Sequence, residues 1–142
     1  MFDLEDFFEL VDSSKNITVG FSGGGDSSAL LHFCHELNQQ GLLHGSLSAL
    51  HINHSLNKDS DQWEDHCKIF CEERGVAFHS YQVKINSKKS GLESAARNAR
   101  YKIFKEAIQL NDQLLLAHHA DDVAETILFR LFRGTGLDGL QG

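Results

Sequence analysis

The sequence predicts an α/β fold, a doubly wound parallel sheet with helices on both faces. Three observations carry that expectation. Short β-branched or apolar runs alternate with amphipathic stretches along the chain. A run of glycines, Gly23 to Gly25, stands between the first apolar run and the first long amphipathic stretch. Polar clusters recur directly behind the apolar runs, and open parallel sheets bind ligands beyond the carboxyl ends of their strands.

Taken in order, Phe2 to Val11 has apolar residues at 4, 7, 8 and 11, a helical spacing. Asn16 to Phe21 reads as the first strand. Asp26 to Gln40 reads as a helix stopped by Gly41. Ser46 to Ile52 is the second strand, running into His51-Ile52-Asn53-His54. Ser60 to Arg74 is a helix with Trp63, Cys67, Phe70 and Cys71 on one face, closed by Gly75. Val76 to Val83 is the third strand and Leu92 to Leu110 a long helix. Gln113 to Ala117 is the fourth strand, and Asp121 to Phe132 is expected to form a last helix ending at Gly134.

With 142 residues, the chain suffices for one domain, expected over 1–142. Its net charge of −7 argues against a broadly nucleic-acid-coating surface. Local basic strips remain, one at Lys84, Lys88 and Lys89 and one at Arg97, Arg100, Lys102 and Lys105. Nothing resembles a transmembrane span, and the acidic start lacks the basic region of a signal peptide, so a cytoplasmic protein is expected. Cys34, Cys67 and Cys71 lie in helix-like segments and read as buried thiols. His32, His35, His44, His66 and His79 read as surface or packing residues.

The strongest chemical signal is Phe21-Ser22-Gly23-Gly24-Gly25-Asp26-Ser27-Ser28. Strand, glycine turn and helix in that order bring backbone N–H groups to a helix N-terminus, where the dipole adds positive potential. The run is not the lysine-bearing phosphate loop, because no lysine lies between Lys15 and Lys58. Asp26 stands there instead. A carboxylate beside a polyphosphate is repelled unless a cation bridges them, and Mg²⁺ takes carboxylate and phosphate oxygens together. The plainer alternative is a capped helix after a turn, yet three successive glycines exceed what a cap needs.

The second signal is His118-His119-Ala120-Asp121-Asp122-Val123-Ala124-Glu125-Thr126. On a helix, Asp121 and Glu125 share a face. Acidic first turns suit the helix dipole, but like charges at that spacing repel unless a cation neutralises them. Either Mg²⁺ or a cationic substrate meets that need.

The loop from Ser22 to Ser27 resembles the S-G-G-x-D-S motif of the N-type ATP pyrophosphatases, the PP-loop superfamily. Three further motifs follow in order: His51-Ile-Asn-His54, Glu93-Ser-Ala-Ala-Arg97-Asn-Ala-Arg100-Tyr101, and His118 to Thr126 with Arg130-Leu-Phe-Arg133-Gly134-Thr-Gly136. Together they resemble the tRNA(Ile)-lysidine synthetase family from about Asn16 onward. The resemblance implies an adenine nucleotide alpha hydrolase-like fold and a C–N bond-forming ligase that uses ATP and Mg²⁺. In that reaction ATP activates C2 of the wobble cytidine as an adenylate, releasing pyrophosphate. Free L-lysine then attacks C2 and displaces AMP.

Carried onto these positions, Ser22, Gly23, Gly24, Gly25, Asp26, Ser27 and Ser28 hold the phosphates, with Asp26 on the metal. His51 lies near the adenosine. His118, Asp121 and Glu125 line the reacting centre, and Arg97, favoured over the alternative Arg100, steadies the base or developing charge. The implied partners are tRNA(Ile) with a CAU anticodon, free L-lysine and ATP, with no membrane and homodimerisation left open. The family is longer than 142 residues, and four strands ending on a helix look one strand short, so a partial domain lacking the tRNA-binding C-terminal parts is expected. Gly25 departs from the apolar residue often found at the variable loop position. Alternatives are a 2-thiolation enzyme of the same superfamily, a metal-dependent phosphoesterase built on the histidines, and a non-catalytic nucleotide-binding module. Paired cysteines serve thiolation, and here Cys67 and Cys71 are expected far from the strand ends.

Overall fold

In the computed structural model, the described residues are 4–53, 59–83, 92–107, 113–119 and 127–133, with backbone alone for 92–97, 101, 107, 118–119 and 127–133. The elements are α1 (Leu4–Leu10), β1 (Ile17–Gly20), α2 (Gly25–Gln39), β2 (Leu47–Asn53), α3 (Ser60–Arg74), β3 (Ala77–Gln82), α4 (Leu92–Ala107), β4 (Gln113–His119) and β5 (Ile127–Arg133). The strands make one sheet in the order β3-β2-β1-β4-β5. The first four run parallel and β5 is antiparallel to β4. The order reverses between β1 and β4, the switch point of a doubly wound sheet.

Register sorts the side chains between two faces. Val19 stands level with Ala49 on one side and Leu115 on the other. All three are buried against Leu30, Leu31 and Cys34 of α2, Phe7 of α1, and Cys67 and Cys71 of α3. Phe7 meets Phe33 of α2 edge to face at 5.3 Å, a favoured aromatic arrangement. On the opposite face Gly20 stands level with Leu50 and Leu116. A methyl group on Gly20 would collide with Leu116 and meet Phe104 of α4 at 3.6 Å, so the missing side chain is what lets α4 close on the sheet. Helices therefore cover both faces, as expected.

The helix stops are local. α3 ends on Gly75 at φ 68°, whose N–H donates to Glu72 O. Left-handed geometry of this kind costs glycine nothing. After α2, Gly41 takes φ 77°, and Leu42 N–H returns to Leu37 O at 3.0 Å.

The last element differs from the expected helix over Asp121 to Phe132. Residues 121–126 fall outside the described set, and Ile127–Arg133 is a strand. Ile127-Leu-Phe-Arg-Leu-Phe-Arg133 is a short apolar run that fits either period, and its isoleucine and phenylalanines suit a pleated surface. Pairing from Gln113↔Arg133 to His119↔Ile127 satisfies the backbone groups on the side of β4 that β1 leaves open. The fifth strand is thus supplied from within the stretch read as a helix.

Gln113 is a core feature that periodicity does not reveal. It is fully buried at the start of β4. Its side chain accepts from Asp12 N–H and donates to Asp12 O, both at 2.8 Å, clipping the α1–β1 connection to the sheet. Gln113→Leu removes both of these bonds, while Asp12 O keeps the Lys15 N–H at 3.2 Å. We expect a loss of about 1–3 kcal/mol in urea unfolding, the cost of removing the side-chain partner of a buried polar group.

Burial pushes the Cys34 thiol up to about 12. Cys67 rises to about 11, by desolvation first and then by Cys71 and Glu64. Desolvation also raises Cys71 to about 11, against a lowering by Arg74. Raised folded values mean that the neutral thiols favour the fold. Their contribution is complete below the ordinary value of 9.0 and is lost as pH rises through about 11 to about 12. Melting temperature is expected to fall across that window, and less steeply in Cys34→Ala.

Candidate functional site

The loop after β1 is held at three points. At its entry, Phe21 N–H donates to Leu50 O, and the Phe21 carbonyl meets His51 Nδ1 at 2.8 Å. In its middle, the Trp63 indole N–H of α3 donates to Ser22 O at 2.6 Å. At its exit, Ser27 Oγ accepts from Ser22 N–H at 3.1 Å, lies 3.0 Å from Ser22 Oγ and donates to Gly24 O. Gly24 N–H in turn donates to Ser22 Oγ at 3.2 Å. Ser27 is buried, whereas Ser22 and Gly24, which it holds, are exposed.

Only the first glycine is dictated by local geometry. Gly23 takes φ 88°, and a Cβ there would lie 2.7 Å from Cys67 Sγ and 2.8 Å from the Trp63 ring. Gly24 is the N-cap of α2 at φ −73° and ψ 170°, without a side-chain cap. Around Gly25 nothing lies within 4 Å of an added Cβ. A side chain at Gly25 is therefore sterically admissible, and its absence leaves the backbone open to a close approach.

The helix that follows makes the site attractive to anions. Ser28 N–H closes the first helical turn onto Gly24 O at 3.0 Å. The amides of Gly25, Asp26 and Ser27 precede that bond and stand at the positive end of a fifteen-residue helix. Asp26 is half-buried in this first turn. A carboxylate oxygen beside a helix N-terminus is of the kind that suits Mg²⁺, which keeps several waters and binds through one or two carboxylates plus substrate phosphates.

Beside the loop, His51 is buried and stacks on Phe78 with centroids 6.1 Å apart. Its ring supports the loop from beneath. Asn53, at the end of β2, donates to Asp61 Oδ1 at 2.9 Å and to Glu64 Oε1 at 3.4 Å. Glu64 also accepts from Ser80 of β3. These bonds seat the N-terminal half of α3 over the ends of β2 and β3. An open groove of about 450 Å³ lies along this end of α3, lined by Asp59, Ser60, Gln62, Trp63 and His66.

The remaining predicted residues are placed only in part. His118 is the penultimate residue of β4, two beyond Leu116, which stands level with Gly20. Its backbone therefore lies at the same end of the sheet as the loop. Arg97 belongs to α4, which covers the opposite face from α2 and α3. Asp121, Glu125 and His54 lie outside the described residues. Cys67 departs from the expectation that it stands far from the strand ends, because its sulfur lies beneath Gly23. Burial keeps that thiol protonated, and thiolate is the form that attacks or binds metal. Trp63, read from sequence as one face of a core stripe, is the loop contact that sequence reasoning missed. Its signal was the indole N–H, a donor that normally finds a partner when partly buried.

Known proteins resemble this chain over most of its length. The family model described as a PP-loop domain matches residues 3–142. The tRNA(Ile)-lysidine synthase of Photorhabdus laumondii is 48% identical over 126 residues, covering 89% of this chain and 28% of that protein. The enzyme of the same name from Proteus mirabilis is 43% identical over 130 residues, covering 92% of this chain and 30% of the relative. The chain thus spans under a third of the length of these relatives. A solved U34-tRNA thiolase from Methanococcus maripaludis superposes with a TM-score of 0.55 at 20% identity, over 70% of this chain and 37% of that one, a likeness of fold. With its glycine loop at the N-terminus of α2 and a family match over nearly its whole length, the chain belongs to the PP-loop family.

Proposed function

We propose that this chain forms the ATP-activating region of a ligase that joins lysine to C2 of the wobble cytidine in tRNA(Ile) with a CAU anticodon. The observation that carries the reading is the loop itself, with the N-terminus of α2 and Asp26 gathered where β1 ends. Relatives at 43–48% identity bear the name of that activity.

In this reading the amides of Gly23, Gly25, Asp26 and Ser27 and the hydroxyls of Ser22 and Ser28 hold the β- and γ-phosphates. Asp26 holds Mg²⁺, which supplies charge neutralisation for the departing pyrophosphate when bound. Amides fixed in advance stabilise that developing charge without reorganising. His51, through Phe21 O, keeps the loop entry beside the adenosine. Arg97 steadies the base. The incoming amine must shed a proton, and His118, Asp121 and Glu125 supply the acceptor. The exposed Arg100 and Lys102 of α4 give tRNA a local basic contact on an otherwise acidic chain.

The thiolation alternative asks for reactive cysteines, and the three here are buried thiols with raised values. The phosphoesterase alternative leaves the glycine loop without a role, whereas His51 serves that loop through Phe21 O.

Incubating the full-length gene product with ATP, Mg²⁺ and tRNA, with and without lysine, tests the reading. Lysine-dependent AMP release with stoichiometric lysine incorporation is expected. ATP turnover indifferent to both tRNA and lysine would refute it. Asp26→Asn is expected to slow pyrophosphate release about 10²–10³-fold, with an unchanged circular dichroism spectrum. Undiminished release in that variant would remove Asp26 from the metal role.

A further inference from the structure

We infer that Trp63 is a positioning residue for the anion site, fixing the Ser22 carbonyl so that the Gly23 amide is aimed at a bound phosphate. The inference rests on the reading of the loop as a phosphate site. Trp63 lies on α3, an element that none of the expected site motifs includes, and it touches the loop at two places. Its N–H donates to Ser22 O at 2.6 Å, and its ring stands where a Cβ on Gly23 would be.

The consequence follows from the peptide plane. In a trans peptide the C=O of Ser22 and the N–H of Gly23 point in opposite directions. A carbonyl drawn toward α3 therefore turns the following N–H away from α3. Gly23 is able to take that orientation because its φ is 88°. Without the indole, the Ser22 carbonyl is free to swing into the loop mouth, where it would repel phosphate oxygens.

The indole is itself held. His66 stacks on it with centroids 5.1 Å apart and an interplanar angle of 20°. Cys67, one turn further on, is fully buried under the same glycine. A purely packing role accounts poorly for Trp63, since 45% of the residue remains exposed. Its well-made contact is the polar one.

The protein's single tryptophan provides a direct readout. Inorganic pyrophosphate and MgATP are titrated into the 142-residue chain while tryptophan emission and the Gly23 amide resonance are followed. Affinities are then measured by calorimetry for Trp63→Phe and for a chain carrying β-(3-benzothienyl)alanine at position 63. The second variant keeps the bicyclic ring and removes only the N–H. Ligand is expected to change the tryptophan emission and shift the Gly23 amide. Both variants are expected to bind about tenfold more weakly, as for loss of one oriented charge-assisted hydrogen bond. Their Gly23 shift is expected to vanish while melting temperature is retained. Should Trp63→Phe fail to fold, the benzothienyl chain decides alone. Wild-type affinity and an intact Gly23 shift in that chain overturn the role of Trp63 and leave the phosphate site standing. If the unaltered chain binds neither ligand, the phosphate site falls, and this inference with it.

Discussion

A loop can offer main-chain amides to an anion only if its carbonyls are turned elsewhere, and this constraint organises the described part of the molecule. Two successive carbonyls, those of Phe21 and Ser22, are taken up by rings from different elements, His51 of β2 and Trp63 of α3. Ser27 ties the same stretch back to the first turn of α2. Each bond alone contributes about 1 kcal/mol to stability. Their joint effect is conformational, because they remove the orientations in which a carbonyl faces the ligand. Order made during folding is order that binding does not have to supply.

The sheet exists to bring those rings into place. Because β1, β2 and β4 run parallel and in register, Gly20, Leu50 and Leu116 end level with one another. His51 is the next residue of β2 and Phe21 the next after β1, so register brings the His51 ring within reach of Phe21 O. Above them, α3 is fastened by Asn53 to Asp61 and Glu64. Asn53 is almost completely buried, and the carboxylates answer its amide rather than stand as a free acidic cluster. The buried cysteines belong to the same support. A thiol is small enough to lie under Gly23 and apolar enough to face the core.

Much of this was legible in the residues. The bounds of α3, Ser60 to Arg74, could be read from its apolar face and from Gly75, because both the stripe and the stop are local signals. The loop was legible because its glycine run has few other physical explanations. The partners of the loop were not legible. Trp63 and Gln113 act across 41 and 101 residues of chain, and no periodicity encodes such contacts. Ile127–Arg133 failed for a different reason. Its apolar pattern suits both periods, and the open side of β4 decided for a strand. The carboxylates at 121 and 125 remain a matter of sequence, together with their proposed roles.

The absence of lysine from the loop sets the kind of site this can be. A lysine-bearing phosphate loop carries its own countercharge, whereas here Asp26 adds a negative charge at the mouth. Helical amides offer partial positive charge, roughly half an elementary charge at the N-terminus, which cannot offset both a carboxylate and a polyphosphate. In the proposed function that deficit falls to a cation that arrives with the nucleotide. In the proposed reaction such an arrangement favours release of pyrophosphate, because the loop from Ser22 to Ser28 carries no lysine or arginine of its own. That logic suits a site that expels pyrophosphate better than one that retains a nucleoside diphosphate between cycles.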